Sequence, residues 1–297
     1  MENKYTELTQ KYLMESDADA AAVAVLDFKT NTFEWFEIEN HLVNVEKSKI
    51  YFDFASLTKP LTNSYLSIRH NLYNESQLKL LLNHRAGLPA WGLLSKNSWK
   101  EQLLSYNVLE SETLYSDFSA LRFMLEVESI LKMSYQELLK SFMDSEVVFW
   151  KNLNGKKTVQ NGFVKGKPNF SIVHDPNCYN LNVFTSHAGL FGTIEGLSKS
   201  LLRFAKDTDL LSIMQDRKTN DRYFAGFDTV QDTSRTLAGI GCSDKTFGHL
   251  GFTGTSFWID PLKLKGVVIL TNTTKYFWHH RYQLNPFRRD IGALVWK

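Results

Sequence analysis

The chain has 297 residues, 43% of them hydrophobic and 22% charged, with a formal net charge of +2. That is enough chain to bury a large core, and the composition is ordinary for a globular enzyme. The small net charge excludes a broad basic field for nucleic acid or a membrane surface.

The start, Met1 to Asp19, is polar and lacks the basic and apolar stretches of a signal peptide. The apolar run Ala20–Leu26 is too short to span a bilayer. With Met1 as the native start, the expected location is the cytoplasm. Thr6–Glu15 reads as an opening helix and Ala20–Asp27 as a buried strand. Lys29–Thr32 reads as a turn and Phe33–Ile38 as a second strand. From Lys59 to about residue 145 the pattern is mostly helical, with apolar residues at three- and four-residue spacings in Leu78–Leu82 and Leu121–Leu139. Strands return at Thr255–Ile259 and Val267–Thr271, and Arg289–Trp296 reads as a closing helix. Strands joined by short turns pair antiparallel. The expected fold class is therefore α/β (α+β), in one compact catalytic unit. Residues 1–65 and 190–297 form an antiparallel sheet flanked by helices, and residues 66–189 form a mostly helical lobe, with a cleft between the two parts. Cys178 and Cys242 form no C-x-x-C pair and are expected as buried free thiols.

Three short segments carry chemistry. In Phe54-Ala55-Ser56-Leu57-Thr58-Lys59-Pro60, a helix beginning at Ser56 puts Lys59 one turn later on the same face. Its unpaired N–H groups favour an alkoxide at Ser56 and offer the Ser56 N–H to an oxyanion. Ser76–Lys79 and Ser129–Lys132 share the spacing but read as ordinary helix positions. In Tyr115-Ser116-Asp117, a tyrosine near Lys59 is a candidate base, held partly as phenolate by the cation. The bland alternative makes Ser116 or Asp117 a helix N-cap. In Gly248–Ser256, glycines mark close backbone approach, and an edge strand there offers the Phe252 N–H as a second oxyanion donor.

Taken together, these segments resemble the serine β-lactamase and penicillin-binding protein family, especially its class C-like, esterase and penicillin-binding protein 4B-like branch. Leu82–Pro89, Val173–Pro176 and His187–Phe191 resemble further segments of that branch, so the resemblance covers about residues 20 to 275. It implies an acyl-enzyme on Ser56 with no metal and no organic cofactor. Lys59 and Tyr115 share the proton work, and the backbone N–H groups of Ser56 and Phe252 bind the oxyanion. Asp117, His249 and Gly251 contact a small-molecule or peptide substrate.

The sequence departs from the family pattern at two places. Asp117 stands where many relatives have asparagine, which removes a donor and adds negative charge beside Lys59. His249 stands where β-lactamases and peptidases usually have lysine, which leans toward esters or amides lacking an obligatory carboxylate. The region between Leu66 and Leu80 is also short for the family. The expected activity is a β-lactamase-related esterase or D-Ala carboxypeptidase-like hydrolase. The rival is a non-catalytic peptide- or muropeptide-binding or regulatory protein on the same fold. No G-x-S-x-G elbow occurs, which argues against an α/β-hydrolase. His279 and His280 are adjacent and make a poor metal pair. His84, His174 and His187 are expected to satisfy loop backbone groups, and Trp91, Trp99 and Trp258 to line core or cleft.

Overall fold

The structure, a computed structural model, describes residues 3–276 and 282–297; His279 and His280 lie outside the described residues. The strands in chain order are β1 (Ala20–Asp27), β2 (Thr32–Glu39), β3 (Leu42–Asn44), β4 (Phe52–Asp53), β5 (Val147–Phe149), β6 (Phe163–Val164) and β7 (Lys167–Pro168). They continue with β8 (Leu190–Gly192), β9 (Tyr223–Phe224), β10 (Phe227–Thr229), β11 (Phe247–Leu250), β12 (Ser256–Asp260) and β13 (Lys265–Thr271). Eight of them build one antiparallel sheet in the order β3-β2-β1-β13-β12-β11-β10-β9. The α/β class read from the sequence holds, and the sheet draws its strands from both ends of the chain.

The unbroken apolar run of β1 follows from its central place. Ala20, Ala22, Ala24 and Leu26 face one core, and Ala21 and Val23 face another, so both sides are buried. Small side chains on the alternating pleat let helices approach both faces closely. Helix Ile194–Asp207 packs on β1 from one side. Helices Asn3–Glu15 and Leu284–Val295 pack together on the other, with Tyr12 stacked on Phe287 at 4.4 Å between ring centroids. The terminal helix thus begins five residues before its expected start at Arg289.

The first turn forms because Asp27 accepts the N–H groups of Lys29 and Thr30, with Asn31 in the left-handed region. The helical stretch expected over Leu121–Leu139 is two helices, Asp117–Leu131 and Tyr135–Leu139. Lys132 takes a left-handed φ of 53° and ends the first, and a Ser134/Glu137 capping box starts the second. Apolar spacing alone carries no information about that interruption. Both cysteines are free and buried. Trp99 and Trp258 are buried as expected, whereas Trp91 is half exposed. Among the described residues, no helix is long and apolar enough to cross a membrane.

Candidate active site

Ser56 sits in a tight turn of helix, Ala55–Leu57, at the end of β4. Ala55 adopts a φ of 47°, an uncommon conformation for a residue with a side chain. Asp53 holds it there by accepting the Ala55 N–H at 2.8 Å. Asp53 itself is buried and accepts from Asn161 and from the His174 backbone. Burial pushes its carboxyl up to about 6 against those donors. The helix after Ser56 is not a regular α-helix. Pro60 lacks an N–H, and Pro60–Ser64 is π-helical before α-geometry resumes at Tyr65.

Lys59 is buried, and its Nζ donates to Ser56 Oγ at 3.0 Å and to the His187 carbonyl at 3.1 Å, and lies 2.7 Å from Asp117 Oδ1. Three ammonium hydrogens thus meet three acceptors. Burial opposes the charge, but Asp117 and Tyr115 outweigh it and raise the Lys59 pKa. Lys59 is therefore a firm cation in the resting site, as the aspartate at position 117 led one to expect.

Tyr115 faces the same centre. Lys59 Nζ lies 4.9 Å from its ring centroid, and its phenol interacts with Lys59 and Ser56. Burial pushes the phenol pKa up, Lys59 pulls it down, and Asp117 adds to the rise; the net direction is upward. The expectation that the cation holds Tyr115 partly as phenolate is therefore corrected: the resting group is a phenol. Ser116 is the N-cap of helix Asp117–Leu131, accepting the Ser119 N–H, and it donates to the Pro89 carbonyl at 2.6 Å. The capping role and the site role coexist, since the cap is what aims Tyr115 and Asp117 at Lys59.

The third segment is bound to the first. Thr253 and Thr255 donate hydroxyls to the carbonyls of Asp53 and Phe54, at 2.6 and 3.0 Å. A Cβ at Gly251 would lie 1.9 Å from Thr255 Oγ1 and 2.6 Å from the Phe54 carbonyl oxygen, so only glycine allows this closeness. Strand β11 is not an edge strand as expected. It pairs with β10 through Phe247 and Gly248, and only His249 and Leu250 run on past that partner toward Ser56. His249 is buried, with Nδ1 2.9 Å from the Leu250 carbonyl. A carbonyl only accepts, so Nδ1 carries the hydrogen. Burial and Lys59 push the His249 pKa down to about 3. At the position where the family resemblance led one to expect a lysine, the side chain is a neutral ring.

A cleft of about 520 Å³ brings Ser56, Tyr115, His249, Gly251 and Phe252 together. Every predicted contact except Lys59 and Asp117 lines it; those two lie behind Ser56 and Tyr115. Sequence reasoning missed the support. Asp175 caps helix Pro176–Leu181 and accepts from His187 Nε2 at 2.8 Å, which fixes the loop whose carbonyl binds Lys59. His187 thus bonds a carboxylate rather than a backbone group as expected, whereas His84 Nδ1 accepts the Ser116 N–H. Burial opposes the Asp175 charge, but His187 overrides it and holds the carboxyl down at about 2. Both residues fall in segments noted for family resemblance, and that is the signal that could have found them. Asp117, Asp175 and His187 bring ligand atoms within 4.8 Å of one another. Asp117 is engaged by the Lys59 ammonium, and Asp175 and His187 by each other.

Residues 56–284 match the β-lactamase family model. A search of curated proteins found no match. Among solved structures, the chain is similar to simvastatin synthase LovD from Aspergillus terreus, with a TM-score of 0.68 and 11% identity over 99% of this chain and 98% of that one. It is similar to EstA from Arthrobacter nitroguajacolicus Rue61a, with a TM-score of 0.62 and 14% identity over 98% and 96%. A β-lactamase from Mycobacterium bovis gives a TM-score of 0.56 and 17% identity over 94% and 96%. These identities speak for a shared fold. The family model spans most of the chain and includes Ser56, Lys59, Tyr115 and the Gly248–Ser256 segment, and on that match the chain belongs to the β-lactamase family.

Proposed function

We propose that this protein is a serine hydrolase that forms an acyl-enzyme on Ser56 and acts on an ester or amide. The observation that carries this reading is the Lys59 ammonium, 3.0 Å from Ser56 Oγ and held by Asp117 at 2.7 Å. A serine hydroxyl needs a neighbouring base to become a nucleophile. Lys59 is a donor to Ser56 and is already protonated, so the base is Tyr115 in the fraction that has lost its proton to solvent; that phenolate, stabilised by Lys59, takes the Ser56 proton. Ser56 Oγ attacks the carbonyl carbon, and the oxyanion sits against the backbone of Ser56 and Phe252. Tyr115 gives that proton to the leaving group as its bond to the acyl carbon breaks; in the second step Tyr115 takes a proton from water, the hydroxide adds to the acyl carbon, and the proton passes to Ser56 Oγ as the ester bond breaks.

The neutral His249 supports a substrate without an obligatory carboxylate at that point. A hydrolase with promiscuous acyltransferase activity, EstCE1, and simvastatin synthase are among the similar structures and agree with that leaning. A non-catalytic binding protein is the weaker reading, because a retired site has no need to keep Lys59 and Ser56 in bonding contact. The test is intact-mass spectrometry after incubation with a fluorophosphonate, a nitrophenyl ester and a penicillin. An adduct on Ser56 that is absent from Ser56→Ala is the expected result. Hydrolysis that persists in Ser56→Ala would sink the proposal.

A further inference from the structure

The cleft does not end at the reacting centre. Arg222 and Asp228, on its wall, also line a second cavity of about 250 Å³. Its lining includes Thr229 at the end of β10, Thr236 in the following loop, Leu250 and Trp258. The two cavities are therefore neighbours across the Arg222–Asp228 pair. Arg222 Nε and Asp228 Oδ1 are 3.7 Å apart, an ion pair too long for a hydrogen bond between those two atoms. The guanidinium lies 5.1 Å over the Tyr223 ring. Stacking uses the face of a guanidinium and leaves its edge N–H groups available. Asp228 is mostly buried and lines the cleft, and a carboxylate accepts about four hydrogen bonds, more than Arg222 and the Thr229 backbone supply.

We infer that Arg222 and Asp228 form a subsite for an amide in the part of the substrate remote from the scissile bond, with the chain beyond it entering the second cavity. The inference rests on the hydrolase reading of Ser56. Charge selects the ligand class. A substrate carboxylate would gain Arg222 but face Asp228, and an ammonium would do the reverse. A neutral amide satisfies both, its carbonyl accepting from Arg222 and its N–H donating to Asp228. Leu250 and Trp258 suit the methylenes that follow, and Gln231 and Arg235 in the same lining suit a solvated end.

The test uses nitrophenyl esters of N-acyl-ω-amino acids, with nitrophenyl acetate as reference: the methylene count before the amide is varied under an acetyl cap, and at the best length the acyl chain beyond the amide is then extended. The kcat/KM ratio to acetate is expected to peak at one chain length by about tenfold or more, equivalent to one good hydrogen-bonded contact. That peak should collapse in Arg222→Gln and in Asp228→Asn, and Thr236→Trp, which fills the second cavity, should remove the further gain given by longer acyl chains. In parallel, the matching primary amides are titrated into Ser56→Ala by calorimetry, where Arg222→Gln should weaken binding by a similar factor. A flat profile with Ser56-dependent acetate turnover overturns the subsite and leaves the hydrolase standing. No turnover of any ester, with amide binding that depends on Arg222, overturns the hydrolase and keeps the subsite. Amide binding indifferent to Arg222 and Asp228 overturns the subsite whatever the turnover.

Discussion

At Lys59 a buried ammonium meets Ser56, His187 and Asp117 at once. Removing Asp117 leaves that charge without its counter-ion in a dry setting, the costly way to break a buried pair. Asp117→Ala is expected to lower stability by about 3 kcal/mol, read from urea unfolding. Asp117→Asn should cost less and let the Lys59 pKa fall, since the carboxylate is the main group raising it. At Tyr115 the working form is the phenolate and the resting form is the phenol. Its pKa lies above 10, so the phenolate fraction grows about tenfold per pH unit through the neutral range. The kcat/KM for a nitrophenyl ester should therefore rise with pH from 6 to 9, after correction for spontaneous hydrolysis. Tyr115→Phe should lose about 10²–10⁴ in kcat/KM and flatten the profile. The residues at this centre could be singled out because three short segments resemble one family's motifs in the right order, although the Ser56–Lys59 spacing recurs at Ser76–Lys79 and Ser129–Lys132. Protonation was not readable, because burial at Tyr115 exceeds what a nearby cation can offset, and burial is a property of the packed molecule.

At the scale of elements, the close contact of β11 with β12 depends on Gly248. A Cβ there would fall 2.0 Å from the Phe257 carbonyl oxygen. The obstacle is backbone, so Gly248→Ala should destabilise by about 3 kcal/mol or more and shift His249 out of register with Ser56. The readouts are urea unfolding and loss of Ser56 labelling. The nucleophile turn after β4 carries a pH dependence of its own. Asp53 has a folded pKa near 6 against 3.8 in the unfolded chain. A raised acid binds its proton more tightly when folded, so this contribution is fully present below pH 4 and is lost as pH rises through 6. It amounts to about 3 kcal/mol. Asp228, also pushed up to about 6 by burial, works in the same window. Asp53→Asn should therefore flatten part of the fall in stability between pH 4 and 6, followed as urea midpoints. Asp175, held down near 2, has the opposite sign: its contribution is present above pH 4 and is lost as pH drops through 2. The strands near both termini were legible because β1 and β13 are buried on both faces and read as unbroken apolar runs. The short pieces β9 and β10 were not, since two or three residues carry no period.

Over the whole molecule, the site is a junction of distant segments. Ser56 and Lys59 come from the first fifth of the chain, Tyr115 and Asp117 from the middle, and Thr253 and Thr255 from near the end. The nucleophile turn is tied to the last of these by two hydroxyl–carbonyl bonds and to the middle through the His187 carbonyl. Arg288, on the terminal helix, donates to the Thr255 carbonyl at 2.7 Å and extends the chain of contacts to the C-terminal end. Such long-range ties were invisible in sequence, where threonines near a glycine turn look like turn chemistry. They bear on how the molecule fails. A site on one autonomous lobe would survive partial unfolding of the other; this one needs the sheet and the helical region docked at the same time. In a urea titration, Ser56 labelling, far-ultraviolet circular dichroism and tryptophan fluorescence should therefore be lost together in one transition. Loss of labelling at lower urea than the circular dichroism would mean that the 115–187 region undocks first, and that the bonds from Lys59 to His187 and Asp117 are weaker than the two threonine ties. Thr255→Val, which removes one tie while leaving the packing volume nearly unchanged, should bring out that early loss.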